Sequence, residues 1–123
     1  MTKTVLTVDD SRTMRDMLLL ALEGAGYTVI QAVDGVDGLE TLAAKGADVV
    51  ITDINMPRMD GFGFIEGMRA NPDHRTTPVL VLTTESDAEK KQRARAAGAT
   101  GWIVKPFDPC LLYTSDAADD LLC

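Results

Sequence analysis

Three observations in the sequence predict an α/β fold built on one parallel sheet. Short apolar, β-branched runs alternate with helical stretches from end to end. Several of these runs stop at charged residues: Val5–Val8 at Asp9-Asp10, Val49–Thr52 at Asp53, and Trp102–Val104 at Lys105. The chain has 123 residues, a length that suits a single domain with a single core. In open α/β sheets the ligand crevice lies beyond the carboxyl ends of the strands, so charged residues at those ends are candidates for a site.

The strands are expected at Thr4–Val8, Thr28–Ala32, Val49–Thr52, Val79–Thr83 and Gly101–Val104. Between the first two, Met14, Met17, Leu18, Ala21, Leu22 and Ala25 recur at helical spacing, with Gly24 and Gly26 ending the helix. Val36, Leu39, Leu42 and Ala43 form a shorter second stripe, and Phe62, Phe64, Ile65 and Met68 a third. Pro72 and Pro78 bracket a polar loop that contains the lone His74. A fourth helix, from about Asp87 to Ala97, carries Lys90, Lys91, Arg93 and Arg95 beside an apolar face made mostly of alanine. Successive βα units imply a parallel sheet with helices on both faces.

The last helix breaks the pattern. Counting from Leu112, the same-face positions 116, 119 and 120 are all Asp. Three carboxylates buried against a sheet cost far more than one helix recovers. Residues 1–109 are therefore read as the domain, and 110–123 as an acidic tail in place of a normal fifth helix, expected to be foreign to the fold. The alternative is a short, loosely docked acidic helix.

Apolar residues make up 46% and charged residues 25% of the chain, as in soluble globular proteins. No apolar stretch approaches the roughly 20 residues of a membrane span. The opening residues read directly as a strand, so no signal peptide is expected. Cys110 and Cys123 match no metal spacing, and a reduced cytoplasmic protein is the default. A net charge of −7 and a pI near 4.5 argue against direct nucleic-acid binding, although Asp108, Asp116, Asp119 and Asp120 exaggerate the acidity of the body.

Asp9, Asp10 and Asp53 gathered at one rim repel one another, so the cluster either protonates or binds a hard cation. Each residue also has an ordinary role open to it: Asp9, Asp10 and Ser11 as helix caps, Asp53 as the start of a turn, Lys105 as a solvated strand-end lysine. Two carboxylates for a metal, one for chemistry and one lysine for a phosphoryl group make a phosphotransfer constellation.

The motifs Val8-Asp9-Asp10-Ser11, Thr52-Asp53-Ile54-Asn55-Met56-Pro57-Arg58-Met59-Asp60-Gly61, Thr83 and Lys105-Pro106-Phe107 together resemble the receiver domain of bacterial two-component response regulators. The resemblance runs from about residue 3 to residue 108 and is strongest to stand-alone chemotaxis receivers of the CheY type. It implies the flavodoxin-like strand order 2-1-3-4-5, which the strand pattern alone does not give. It implies that Asp53 accepts the phosphoryl group and that Asp9 and Asp10 hold Mg²⁺, Asp10 directly and Asp9 largely through water. Asp53 and the backbone carbonyl of Asn55 would complete the protein ligands, with the Asn55 side chain facing the phosphoryl group. Magnesium takes oxygen ligands and keeps several waters, so this set suffices. Lys105 would pair with the acceptor and then with a phosphoryl oxygen, and Thr83, with Thr84 as a rival, would supply a hydroxyl. Trp102 stands where the family has its switch aromatic, usually Tyr or Phe, and Glu85 where the family tunes phosphate loss.

The function so implied is a phosphorylation switch rather than an enzyme. A histidine kinase phosphorylates Asp53, and the face of helix 4, strand 5 and helix 5 signals to a target, the flagellar motor or another output. A longer regulator with a DNA-binding output is the alternative. Two other classes fit less well. Phosphatases of the haloacid-dehalogenase type need a second Asp two residues after the nucleophile, where this chain has Asn55. A flavodoxin-type binder needs a Ser/Thr/Gly-rich phosphate loop after strand 1, where Asp9 and Asp10 stand.

Overall fold

The computed structural model describes residues 3–83 and 88–104. Glu85, Lys105, Thr84 and the acidic tail lie outside the described residues. Within them the elements run β1 (Thr4–Val8), α1 (Arg12–Gly24), β2 (Thr28–Ala32), α2 (Gly35–Lys45), β3 (Val49–Thr52), α3 (Gly61–Ala70), a short 3-10 helix (Pro72–His74), β4 (Val79–Thr83), α4 (Ala88–Ala97) and β5 (Gly101–Val104). All pairings are parallel, and the order is β2-β1-β3-β4-β5.

Side chains alternate across each strand, and this divides the core in two. Leu6, Val8, Val50, Val79 and Val81 pack with Leu42 of α2, the buried residues of α3 and Ala94 of α4. On the other face Val5, Ile51 and Leu82 pack with Leu18 and Leu22 of α1. Helices thus cover both faces, as a buried parallel sheet requires. Beside α1 an apolar groove of about 250 Å³ is lined by Val5, Leu22, Tyr27, Ile51 and Leu80, among others.

The helix starts follow from their caps. Ser11 accepts the Met14 N–H, Asp34 the Asp37 N–H and Asp60 the Gly63 N–H, each filling a free donor of a first turn. At the far ends, Gly26 (φ 96°) follows α1 and Gly46 (φ 71°) follows α2, both in the left-handed region open to glycine.

Three local expectations change. Met17, Ala25 and Ala43, assigned to apolar stripes, are exposed. Met17 and Ala43 each lie one step of about 100° from a leucine that does face the core, Leu18 or Leu42. The Pro72–Pro78 stretch is not simply a polar loop, since it includes the 3-10 turn and His74 is buried, with Nδ1 3.1 Å from Thr77 Oγ1. Of the alanines on α4 only Ala94 is fully buried. That helix relies as well on polar ties: the Arg93 guanidinium lies 4.2 Å from the Phe62 ring centroid, and Arg69 donates twice to the Gly98 carbonyl, at 2.7 and 3.1 Å.

Candidate functional site

The site forms where the sheet reverses its winding. β1 lies between β2 and β3, with Val8 level with both Ala32 and Thr52. The next residue on each of β1 and β3 is therefore an aspartate at the same height. The ladder continues one step into both, since Asp9 N–H donates to Ala32 O (3.1 Å) and Asp53 N–H to Val8 O (2.9 Å).

Asp9, Asp10 and Asp53 each offer a carboxylate oxygen within 4.8 Å of the others. Asp9 is buried, Asp53 half-buried and Asp10 exposed. Like charges at ~4 Å repel by about 1 kcal/mol in bulk water and about 4 kcal/mol at the effective dielectric near a protein surface. A hard divalent cation would relieve that repulsion, and an all-oxygen donor set is what Mg²⁺ takes. The donors fit that ion.

Local bonds hold the carboxylates in place. Asp9 Oδ1 accepts the Ser11 N–H at 2.8 Å, Arg15 donates to the Asp9 carbonyl at 2.7 Å, and Asp53 Oδ1 accepts the Ile54 N–H at 2.7 Å. Thr52 Oγ1 donates to the Asp53 carbonyl at 2.9 Å. Gly61 N–H donates to the Ile54 carbonyl at 2.8 Å, and a Cβ at Gly61 would strike the Asp53 carbonyl, so only glycine lets α3 start so close to Asp53.

Among the other expected site residues, Thr83 is fully buried at the end of β4. Thr52 pairs with Val81, so Thr83 lies one residue beyond the level of Asp53 on the neighbouring strand. Asn55 is exposed in the loop two residues after Asp53. Trp102 is half-buried on β5 opposite Val81, against the core cluster that includes Ala94 of α4. Its indole nitrogen is shielded from solvent and has no hydrogen-bond partner among the described residues. β5 ends at Val104, level with Thr83.

Two arginines were not singled out for the site by the sequence. Arg15 carries positive charge to the backbone of Asp9 from the second turn of α1. Arg58 takes a left-handed backbone conformation (φ 64°) and binds Asp34 with both ends of its guanidinium, at 2.8 and 3.1 Å. That hydrogen bond, helped by the Asp37 N–H, holds the Asp34 carboxyl below the ordinary carboxylate range and raises Arg58 in turn.

Residues 5–115 match the response regulator receiver domain family. The chain belongs to that family. Receivers are signalling domains of two-component systems, and this one is 39% identical over 104 residues to a probable chemotaxis protein CheY of Rhizobium etli, covering 84% of this chain and 81% of the relative. It is 39% identical over 110 residues to chemotaxis protein CheY1 of Helicobacter pylori, covering 88% and 89%. A solved structure of Vibrio cholerae CheY4 superposes with a TM-score of 0.87 at 46% identity, covering 91% of this receiver and 93% of that chain. The five parallel strands in order 2-1-3-4-5 are thus those of the family, as the motifs implied. No helix among the described residues is long and apolar enough to cross a membrane.

Proposed function

We propose that this receiver is a phosphorylation switch whose acceptor is Asp53. The supporting observation is the convergence of Asp9, Asp10 and Asp53 at the carboxyl edge of the sheet in a chain of this family. Asp9 and Asp10, with Asp53 and the Asn55 carbonyl, would hold Mg²⁺, which supplies positive charge to the transferring phosphoryl oxygens. A carboxylate oxygen of Asp53 attacks the phosphorus of a kinase phosphohistidine, the P–N bond breaks, and the imidazole leaves with that electron pair. The hydrogen bond that Ile54 N–H donates to Asp53 Oδ1 orients the attacking group, and phosphoryl transfer is largely a matter of such positioning and electrostatics. Thr83 and Lys105 stabilise the transferred group. Water attacking the acyl phosphate resets Asp53.

Movement of Thr83 toward the phosphoryl group would let Trp102 turn inward and alter the helix 4–strand 5–helix 5 surface, the output face for a target protein. Glu85 would modulate phosphate loss. Chemotaxis, in the cytoplasm, is the setting favoured by CheY relatives of similar length. A place within a longer regulator is the second reading, favoured by the 38% identity to the response regulator MprA of Mycobacterium ulcerans, of which the matched stretch spans 44%.

Acetyl phosphate with Mg²⁺ tests the reading. Intact mass should rise by one phosphoryl group, and Asp53→Asn should abolish the gain because an amide is a poor nucleophile. Asp10→Ala should weaken Mg²⁺ binding, followed by Trp102 fluorescence, by more than about tenfold, which is ~1.4 kcal/mol. Continued single-site labelling of the Asp53→Asn variant would remove Asp53 as the acceptor.

A further inference from the structure

We propose that Arg58 is a positioning residue for the acceptor site, acting through its ion pair with Asp34 to fix the loop that carries Asn55. The inference rests on the reading of Asp53 as the acceptor. The loop runs from Ile54 to Asp60 between β3 and α3, and its base is closed by the bond from Gly61 N–H to the Ile54 carbonyl. Its outer half is largely exposed: Asn55, Pro57, Arg58 and Asp60 face solvent, while the half-buried Met56 and Met59 pack against the core.

Polar ties to the β2–α2 turn hold that outer half. Gly35 N–H donates to the Met59 carbonyl at 3.1 Å, and a Cβ at Gly35 would meet Met59 at 2.7 Å, so the two turns are in close contact. Next to this contact the Arg58 guanidinium grips both oxygens of Asp34, whose side chain is only 5% exposed. Asp34 is itself fixed as the cap of α2. Planar, two-point pairing sets an orientation that a single ammonium does not. Arg58 makes the pair from a left-handed backbone, a conformation that non-glycine residues keep only when their surroundings hold them there. Asn55 thus lies between the buried Ile54, just beyond β3, and the clasp at Arg58, with the half-buried Met56 next to it on the Arg58 side. Loss of the clasp would loosen the stretch whose Asn55 carbonyl would supply an oxygen to Mg²⁺.

The experiment compares Arg58→Ala, Arg58→Lys, Asp34→Asn and the Arg58→Ala/Asp34→Asn double variant in the full chain. Mg²⁺ affinity is read from Trp102 fluorescence, and labelling by acetyl phosphate from intact mass. Groups that orient metal ligands through a second layer of contacts change affinity by roughly 10–100-fold, so Arg58→Ala should weaken Mg²⁺ binding by about tenfold and slow labelling at limiting Mg²⁺. Arg58→Lys should recover only part of the affinity. The double variant should be no worse than Arg58→Ala, because both changes open one clasp. Arg58→Ala with unchanged Mg²⁺ affinity and labelling rate, but a lower urea midpoint, would make the pair a purely structural tie and overturn the proposal. Should Arg58→Ala fail to fold, Arg58→Lys with wild-type affinity and rate overturns it equally. Failure of the acceptor assignment shows separately, as labelling that survives Asp53→Asn.

Discussion

Gly61→Ala probes how tightly the helix start and the Asp53 backbone are coupled. The new Cβ would overlap the Asp53 carbonyl and come within 2.9 Å of Ile54 Cα, and both obstacles are backbone that cannot rotate away. Overpacking of this kind costs typically about 1–3 kcal/mol. Relief by moving α3 away would lengthen the 2.8 Å bond from Gly61 N–H to the Ile54 carbonyl, forfeiting about 1 kcal/mol. Alanine returns up to about 1 kcal/mol of helix propensity. The balance is a destabilisation of about 2 kcal/mol.

Urea unfolding measures it. With a slope of roughly 1–3 kcal/mol per molar for a small domain, the midpoint should fall by about 1 M. The natural control is Gly24→Ala at the end of α1, where a Cβ meets nothing within 4 Å and the midpoint should hold or rise slightly. Because the displaced atoms belong to Asp53 and Ile54, Gly61→Ala should also slow acetyl phosphate labelling, whereas Gly24→Ala should not. Equal midpoints for the two variants would refute the close-approach argument.

Two further outcomes follow from the same geometry. The Asp34 carboxyl is depressed mainly by Arg58, so the pair's contribution is complete above the ordinary carboxylate pKa of about 4 and is lost as pH falls through the lower folded value. The stability gap between the wild type and Arg58→Ala should therefore shrink on acidification, and a gap independent of pH would exclude the ion pair as its source. Replacing residues 110–123 by a helix apolar at 112, 116, 119 and 120 should raise stability by several kcal/mol, at ~1.5–3 kcal/mol per buried large side chain, by filling the apolar groove beside α1; equal urea midpoints and slopes would show that the acidic segment already serves as a fifth helix.

The strands and the acidic cluster were legible in the sequence for one physical reason. A parallel strand covered on both faces is a continuous apolar run, so its end is marked by the first charged residue, and after Val8 and Thr52 that residue belongs to the acidic cluster. Periodicity likewise found Leu18, Leu22, Phe64 and Met68. It misjudged Met17 and Ala43 because a stripe drawn from composition is wider than the line along which a helix touches a sheet. Hydrophobic patterning carries no information about which polar groups meet across loops. Asp34 and Arg58 are 24 residues apart, and Arg69 and Gly98 are 29 apart, each pair joined only after the sheet has placed its turns side by side. Asp34 by itself reads as a helix cap, which it is, and Arg58 as a solvated loop residue, which its 57% exposure nearly makes it. Such ties bind loops that lie largely exposed, and in this receiver one of those loops runs directly from Asp53. The clustered carboxylates can therefore be named from strand ends, while the stiffness with which they are held depends on contacts that only the assembled sheet creates.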